Sequence, residues 1–275
     1  DTAVISICRF SAEDWDRKGE PNDGDFYLSL EEQKMVSDAS SHFDRIVVVL
    51  NVGGMVDTSW FACNPKIGAV LLAWQGGMEG AMAEADILCG DVNPSGKLTD
   101  TFAASFDDYP SSAGFNESRD YVCYTEDIFV GYRYFETIPG AAEKVNYPFG
   151  FGLSYTTFRL EPLISQGDDE RIFVTVRVTN TGNTTGREVV QVYSSAPQSR
   201  LDMPKLELRA FQKTRLLQPG QAQELTLTFP TAELAAYDGK LAAFVLPAGS
   251  YTILVGNCVR ALEEVGHFVN ETERI

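Results

Sequence analysis

Residues 147–158 read YPFGFGLSYTTF, five aromatics and two glycines in twelve positions. Glycine lets a backbone turn sharply and approach another surface, and aromatic side chains bury large area at small entropic cost. The stretch therefore reads as a stiff connector clamped between two bodies. The pattern of the chain changes across it.

Upstream, short apolar runs alternate with helical spacing. AVISICRF (3–10), RIVVVLNV (45–52) and IGAVLLAWQ (67–75) read as buried strands. LSLEEQKMVSDASSHF (28–43) reads as a helix capped by Ser29, and GMEGAMAEADILCG (77–90) as a helix ending near Gly90. Buried strands alternating with helices predict an α/β fold, a mainly parallel sheet between helical layers. Downstream, RIFVTVRVTN (171–180), REVVQVYSSA (187–196), ELRAFQKTRLL (207–217), QELTLTFP (223–230) and GSYTILVGN (249–257) alternate with period two. Turn signals at Asn180–Gly182, Pro219-Gly220 and Pro247–Gly249 separate them, which predicts an all-β, immunoglobulin-like sandwich.

At 275 residues the chain is long enough for two such cores. No apolar run approaches the roughly 18 residues that a membrane helix needs. The net charge of −17 argues against a nucleic-acid partner, because a polyanion is bound by clustered Lys and Arg, and it suits a neutral ligand such as a sugar. The five cysteines, Cys8, Cys63, Cys89, Cys123 and Cys258, form no C-x-x-C pair, so neither a disulfide framework nor a zinc site is expected. Cys8 and Cys89 are read as small buried hydrophobes. The opening DTAVISICRF shows no secretory signal, and with unpaired thiols this leans toward a reducing, cytoplasmic setting. No cofactor and no metal cluster are expected.

The chemistry points to residues 11–18, SAEDWDRK, which follow the first strand. Ligands of open α/β sheets bind at loops leaving the carboxyl ends of strands. An indole face stacks on a pyranose, and a carboxylic acid beside it is desolvated enough to hold a proton near neutral pH. Taken by composition alone, the cluster reads first as a solvated acidic loop around an incidental Trp15, since acid–aromatic clusters are common.

Five segments remove that ambiguity by resemblance. They are SAEDWDR (11–17), WQGGMEG (74–80), GDVNPSGKLTDTF (90–102), YTEDIFVGYRYF (124–135) and the connector itself. In this order they resemble family 3 glycoside hydrolases, the β-glucosidases and β-xylosidases, over nearly the whole chain. The resemblance implies a partial α/β/α sandwich domain at 1–135, a connector at 136–159 and a fibronectin type III-like sandwich at 160–275. It implies that Glu13 is the general acid/base and that Trp15 helps form the site accepting the leaving group. Arg17 is a further substrate-binding candidate, and Tyr27 or Phe26 either lines the site or anchors the following helix by packing. Ala12 and Asp14 depart from the pattern, which has glycine at both positions. Asp14 is expected to raise the pKa of Glu13 by its charge. The segment around Glu79 is read mainly as a tight structural strand–helix turn, with Glu79 near the cleft as the secondary alternative, and Arg133 is expected to bind carboxylates and hold the connector down.

In this family the nucleophile is an aspartate on a (β/α)8 barrel, a fold of about 200 residues or more, which the α/β pattern here is too short to contain. The implied function is the C-terminal part of a retaining β-glucosidase acting on terminal non-reducing β-D-glucosyl residues. The implied partners are a small oligosaccharide or an aryl or alkyl β-glycoside, and a barrel on the same or a partner chain. A homo-oligomer is left open. The alternatives are a non-catalytic carbohydrate-binding or assembly module of the same architecture, and a β-xylosidase.

Overall fold

A computed structural model of the chain describes residues 1–11, 13, 17–115 and 117–275, and of Ile164 the backbone alone. The chain divides into two compact units. The first comprises 1–92, 102–125 and 144–147, and the second 93–101, 126–143 and 148–275.

The first unit is α/β. Its strands β1 (Thr2–Cys8), β2 (Arg45–Asn51) and β3 (Ile67–Leu72) form a parallel sheet in the order β1-β2-β3. Parallel neighbours need a crossover, and the helices α1 (Leu30–His42) and α2 (Ser59–Ala62) lie in the two crossovers. β1 and β2 pair without a register shift from Thr2↔Arg45 to Cys8↔Asn51. The central strand carries the core: Ile46, Val48, Val49 and Leu50 are buried, with Ile5 and Ile7 of β1 and Val36 of α1. Helix α1 starts as its sequence predicts. The Ser29 hydroxyl accepts the Glu32 N–H at 3.2 Å, and Glu32 Oε2 accepts the Ser29 N–H at 2.9 Å, a reciprocal capping box. Helix α3 (Gly80–Cys89) ends at Gly90, whose φ of 84° is the left-handed conformation glycine supplies. A short antiparallel pair, β4 (Phe102–Ala103) with β5 (Val145–Tyr147), completes the unit.

Two expectations fail here. β3 is not a buried strand: Gly68, Ala69 and Val70 are exposed, and α3 has no buried residue. β3 is an edge strand with one neighbour, and little packs on its faces. Nor are Cys8 and Cys89 buried; both are exposed, as are Cys63 and Cys123, and all five thiols are free. Side chains alternate across a strand, so Cys8 points opposite to buried Ile5 and Ile7, onto the uncovered face.

The second unit is the β-sandwich. It begins with helix α4 (Tyr132–Thr137) and continues with β6 (Phe158–Gly167), β7 (Arg171–Asn180), β8 (Val189–Ser195), β9 (Glu207–Lys213), β10 (Ala222–Pro230), β11 (Ala236–Asp238), β12 (Ala243–Val245), β13 (Gly249–Cys258) and β14 (Ala261–Asn270). An antiparallel sheet β10-β7-β6 and a second, β14-β13-β8-β9, share one core. From the first come Ile172, Val174, Val176, Val178, Leu225, Leu227 and Phe229, from the second Val190, Val192, Tyr251, Ile253 and Val255. Inward residues alternate with outward ones, as in a face-to-face sandwich.

Residues 148–156 of the connector are held inside this unit. Gly150 N–H donates to Leu98 O and Leu98 N–H to Phe151 O, both at 2.8 Å. Phe149 stacks on Tyr132 with ring centroids 4.6 Å apart. A Cβ on Gly152 would lie 2.3 Å from the Gly96 carbonyl oxygen, so only glycine allows this approach. Cys258 is buried beneath the same segment, its Sγ 3.6 Å from Phe149 O. Arg133 meets a carboxylate, with Nη2 3.7 Å from Glu207 Oε1.

Candidate active site

The carboxyl ends of three parallel strands converge on one rim of the first unit, and the loop after β1 lies across it. Gln75 Nε2, beyond β3, donates to Ser11 O at 3.5 Å. Two glycines after β2 make room for the loop. A Cβ on Gly53 would come within 2.6 Å of Ser11 Cβ, and one on Gly54 within 2.8 Å of Arg17 Nη1. Glu13 sits at a turn within this loop and is exposed to solvent. Ala12, Asp14, Trp15 and Asp16 lie outside the described residues, and with them the predicted sugar-stacking role of Trp15 and the influence of Asp14 on Glu13.

The loop is tied down on both sides of Glu13. Before it, Arg9 is buried and its guanidinium donates four hydrogen bonds. Nη1 and Nη2 donate to the two Glu32 carboxylate oxygens at 2.7 Å each, Nε donates to Asp25 O at 2.7 Å, and Nη1 also to Cys8 O at 2.8 Å. Burial pulls the Glu32 carboxyl upward. The hydrogen bonds from Arg9 and Ser29, with the Arg9 charge, outweigh that and hold it below the ordinary value of 4.5. After Glu13, Arg17 Nε donates to Asp25 Oδ1, and Lys18 N–H to Asp25 Oδ2 at 2.8 Å.

Tyr27 is half-buried. Its hydroxyl accepts the Phe106 N–H at 3.2 Å and lies 3.3 Å from Ser105 Oγ. It lines a pocket of about 280 Å3 with Pro21, Leu28, Gln33, Asp57 and Trp60. Asp57 and Trp60 were not singled out by sequence. The Trp60 indole N–H donates to Asp57 O at 2.9 Å, while the Asp57 carboxylate accepts the Ser59 N–H and hydroxyl, both at 2.9 Å. A signal was available: an indole three residues after a carboxylate, behind the Gly53-Gly54 pair that follows β2. Glu79 stands exposed at the start of α3. His42 and His267 are exposed, and among the described residues no group of three or more His, Cys, Asp or Glu could hold a metal ion.

Known proteins are similar to this chain in sequence and in fold. The model of the glycosyl hydrolase family 3 C-terminal domain matches residues 1–155, and that of the fibronectin type III-like domain residues 188–258. Beta-glucosidase A of Butyrivibrio fibrisolvens is 50% identical over 94% of this chain and 36% of its own length. A β-glucosidase of Ruminococcus albus is 38% identical over 100% of the chain and 29% of its own length. Among solved structures, a β-glucosidase from Paenibacillus barengoltzii has a TM-score of 0.93 at 42% identity, covering 99% of this chain and 31% of that one. β-Glucosidase 3B from Thermotoga neapolitana, in complex with α-D-glucose, has a TM-score of 0.91 at 41% identity, covering 100% of this chain and 38% of that one. The chain thus spans about a third of the length of the relatives it matches. It belongs to glycoside hydrolase family 3, as the family's C-terminal domain followed by a fibronectin type III-like domain.

Proposed function

We propose that the chain is the C-terminal part of a retaining β-glucosidase and supplies its general acid/base, Glu13. The observation that carries this is the position of Glu13. It is an exposed carboxyl at the turn of a loop anchored on both sides, at the carboxyl end of a parallel sheet, where this family's motif has its acid/base. The nucleophile, an aspartate, comes from a (β/α)8 barrel that these residues do not form.

In the first step the Glu13 carboxyl gives its proton to the glycosidic oxygen as the bond to C1 breaks, and the barrel aspartate bonds to C1. In the second, the Glu13 carboxylate takes a proton from water, whose oxygen displaces the aspartate from C1. Trp15 offers its ring to the departing sugar or aryl group. Arg17 and Tyr27, whose polar ends are engaged by Asp25, Ser105 and Phe106, border that site and hold its shape. Glucose as the sugar is supported by the names of the relatives.

The test is Glu13→Ala in the enzyme that joins this chain to a barrel. Hydrolysis of alkyl glucosides, with poor leaving groups, is expected to fall by roughly 10²–10⁴-fold. Dinitrophenyl glucoside is expected to keep rapid bond cleavage, with turnover partly restored by azide, which needs no general base. Unchanged rates on alkyl glucosides would refute the acid role and leave the non-catalytic module.

A further inference from the structure

We infer that Asp25 is a positioning residue for the proton donor, an inference that rests on reading Glu13 as the acid/base. Asp25 grips the loop from both ends. Its carbonyl oxygen accepts from Arg9 Nε at 2.7 Å, upstream of Glu13, and its carboxylate accepts from Arg17 Nε and from the Lys18 N–H, at 2.8 Å for the latter, downstream. Glu13 lies midway between Arg9 and Arg17 in the sequence. One residue, 12 positions further along the chain, therefore fixes the separation and orientation of the two stems that carry the acid.

The post itself is rigid. Phe26, the next residue, is buried edge-on to Tyr27 and Phe106, with ring centroids 4.9 and 5.4 Å away. Its N–H donates to Lys18 O at 3.2 Å, adding a main-chain bond to the downstream grip. Gly24, just before Asp25, has φ of 74°, a turn that side chains disfavour. Upstream, Arg9 is bound a second time through Glu32, whose Oε2 also closes the capping box of α1, so the loop stem is joined to the start of a helix.

Both Asp25 carboxylate oxygens are engaged within the protein, which suits a support and not a group that meets substrate. Charge-assisted bonds of this kind are short and directional. A general acid displaced by about 1 Å loses on the order of 10²-fold in rate.

The experiment compares Asp25→Ala, Asp25→Asn and Glu13→Ala in the barrel-containing enzyme. Asp25→Ala is expected to lower kcat/KM on alkyl glucosides by roughly 10–100-fold while changing it on dinitrophenyl glucoside by less than about threefold. Asp25→Asn, which retains an acceptor, is expected to fall between Asp25→Ala and the parent. The Glu13→Ala/Asp25→Ala double variant is expected to be no slower on alkyl glucosides than Glu13→Ala alone, because the support acts only through the acid. An equal loss on both substrates, or no loss on either, overturns the inference while Glu13→Ala keeps its acid signature. Absence of that signature in Glu13→Ala overturns the acid reading and this inference with it.

Amide hydrogen exchange of the barrel-containing enzyme gives a readout that needs no catalysis. Asp25→Ala is expected to speed exchange at Lys18 by about tenfold or more and to leave β6–β14 unchanged. Unchanged exchange at Lys18 overturns the clamp.

Discussion

The Arg9–Glu32 pair sets a pH dependence that can be signed in advance. The Glu32 carboxyl titrates below its ordinary 4.5 in the folded chain. A group with a depressed folded pKa stabilises fully above its unfolded value, and that stabilisation is lost as pH falls through the folded one. Glu32→Gln is therefore expected to lower Tm most at neutral pH, with the difference from the parent closing as the pH is taken below 4.5. A difference that widens on acidification would reverse the assignment. At this scale, Glu13 could be put forward as a candidate because Ser11–Arg17 is a local pattern. The contacts of Asp25 could not be foreseen, because its partners lie 7 to 16 residues away. The exposure of Cys8 and Cys89 was illegible for a related reason: burial depends on what covers a face, not on the residues within the strand.

Elements with a sharp local grammar were readable, and those without it were missed. α1 was marked by Ser29, α3 by Gly90, and β7 runs over the ten residues its alternation predicts. β6 and β14 escaped. β6 contains Pro162 and slips register between Pro162 and Ile164, and the pairing of β14 with β13 slips twice. Each slip breaks the two-residue period that reveals a strand. The connector was read from composition, and its geometry explains the glycines. Gly152→Ala would drive a methyl group into the Gly96 carbonyl oxygen. It is expected to cost about 1–3 kcal/mol, seen as a lower midpoint in urea, as other overpacking changes do. An unchanged midpoint would mean that residues 96 and 152 separate easily.

Across the whole chain, charge and layer order carried the fold class and the exclusion of polyanions, while the five resembling segments carried the functional reading. A net charge of −17 with a sequence pI near 4.5 disfavours polyanions, and the switch from strand–helix alternation to strands alone foretold two architectures. The exposure of β3 and α3 was not foretold, since a sequence pattern shows which faces are apolar but not whether anything packs against them. The unpaired thiols have a practical consequence. A maleimide should modify Cys8, Cys63 and Cys89 promptly in the native chain. Cys123 should lag, because desolvation and the neighbouring Glu117 carboxylate raise its pKa and deplete the reactive thiolate. Cys258, sheltered beneath Phe149, should take up the reagent only when the β-sandwich unit opens there. Intact mass against time would then count three fast additions, a fourth slower one and a last whose rate clocks that opening, and five simultaneous additions would show the shelter to be absent.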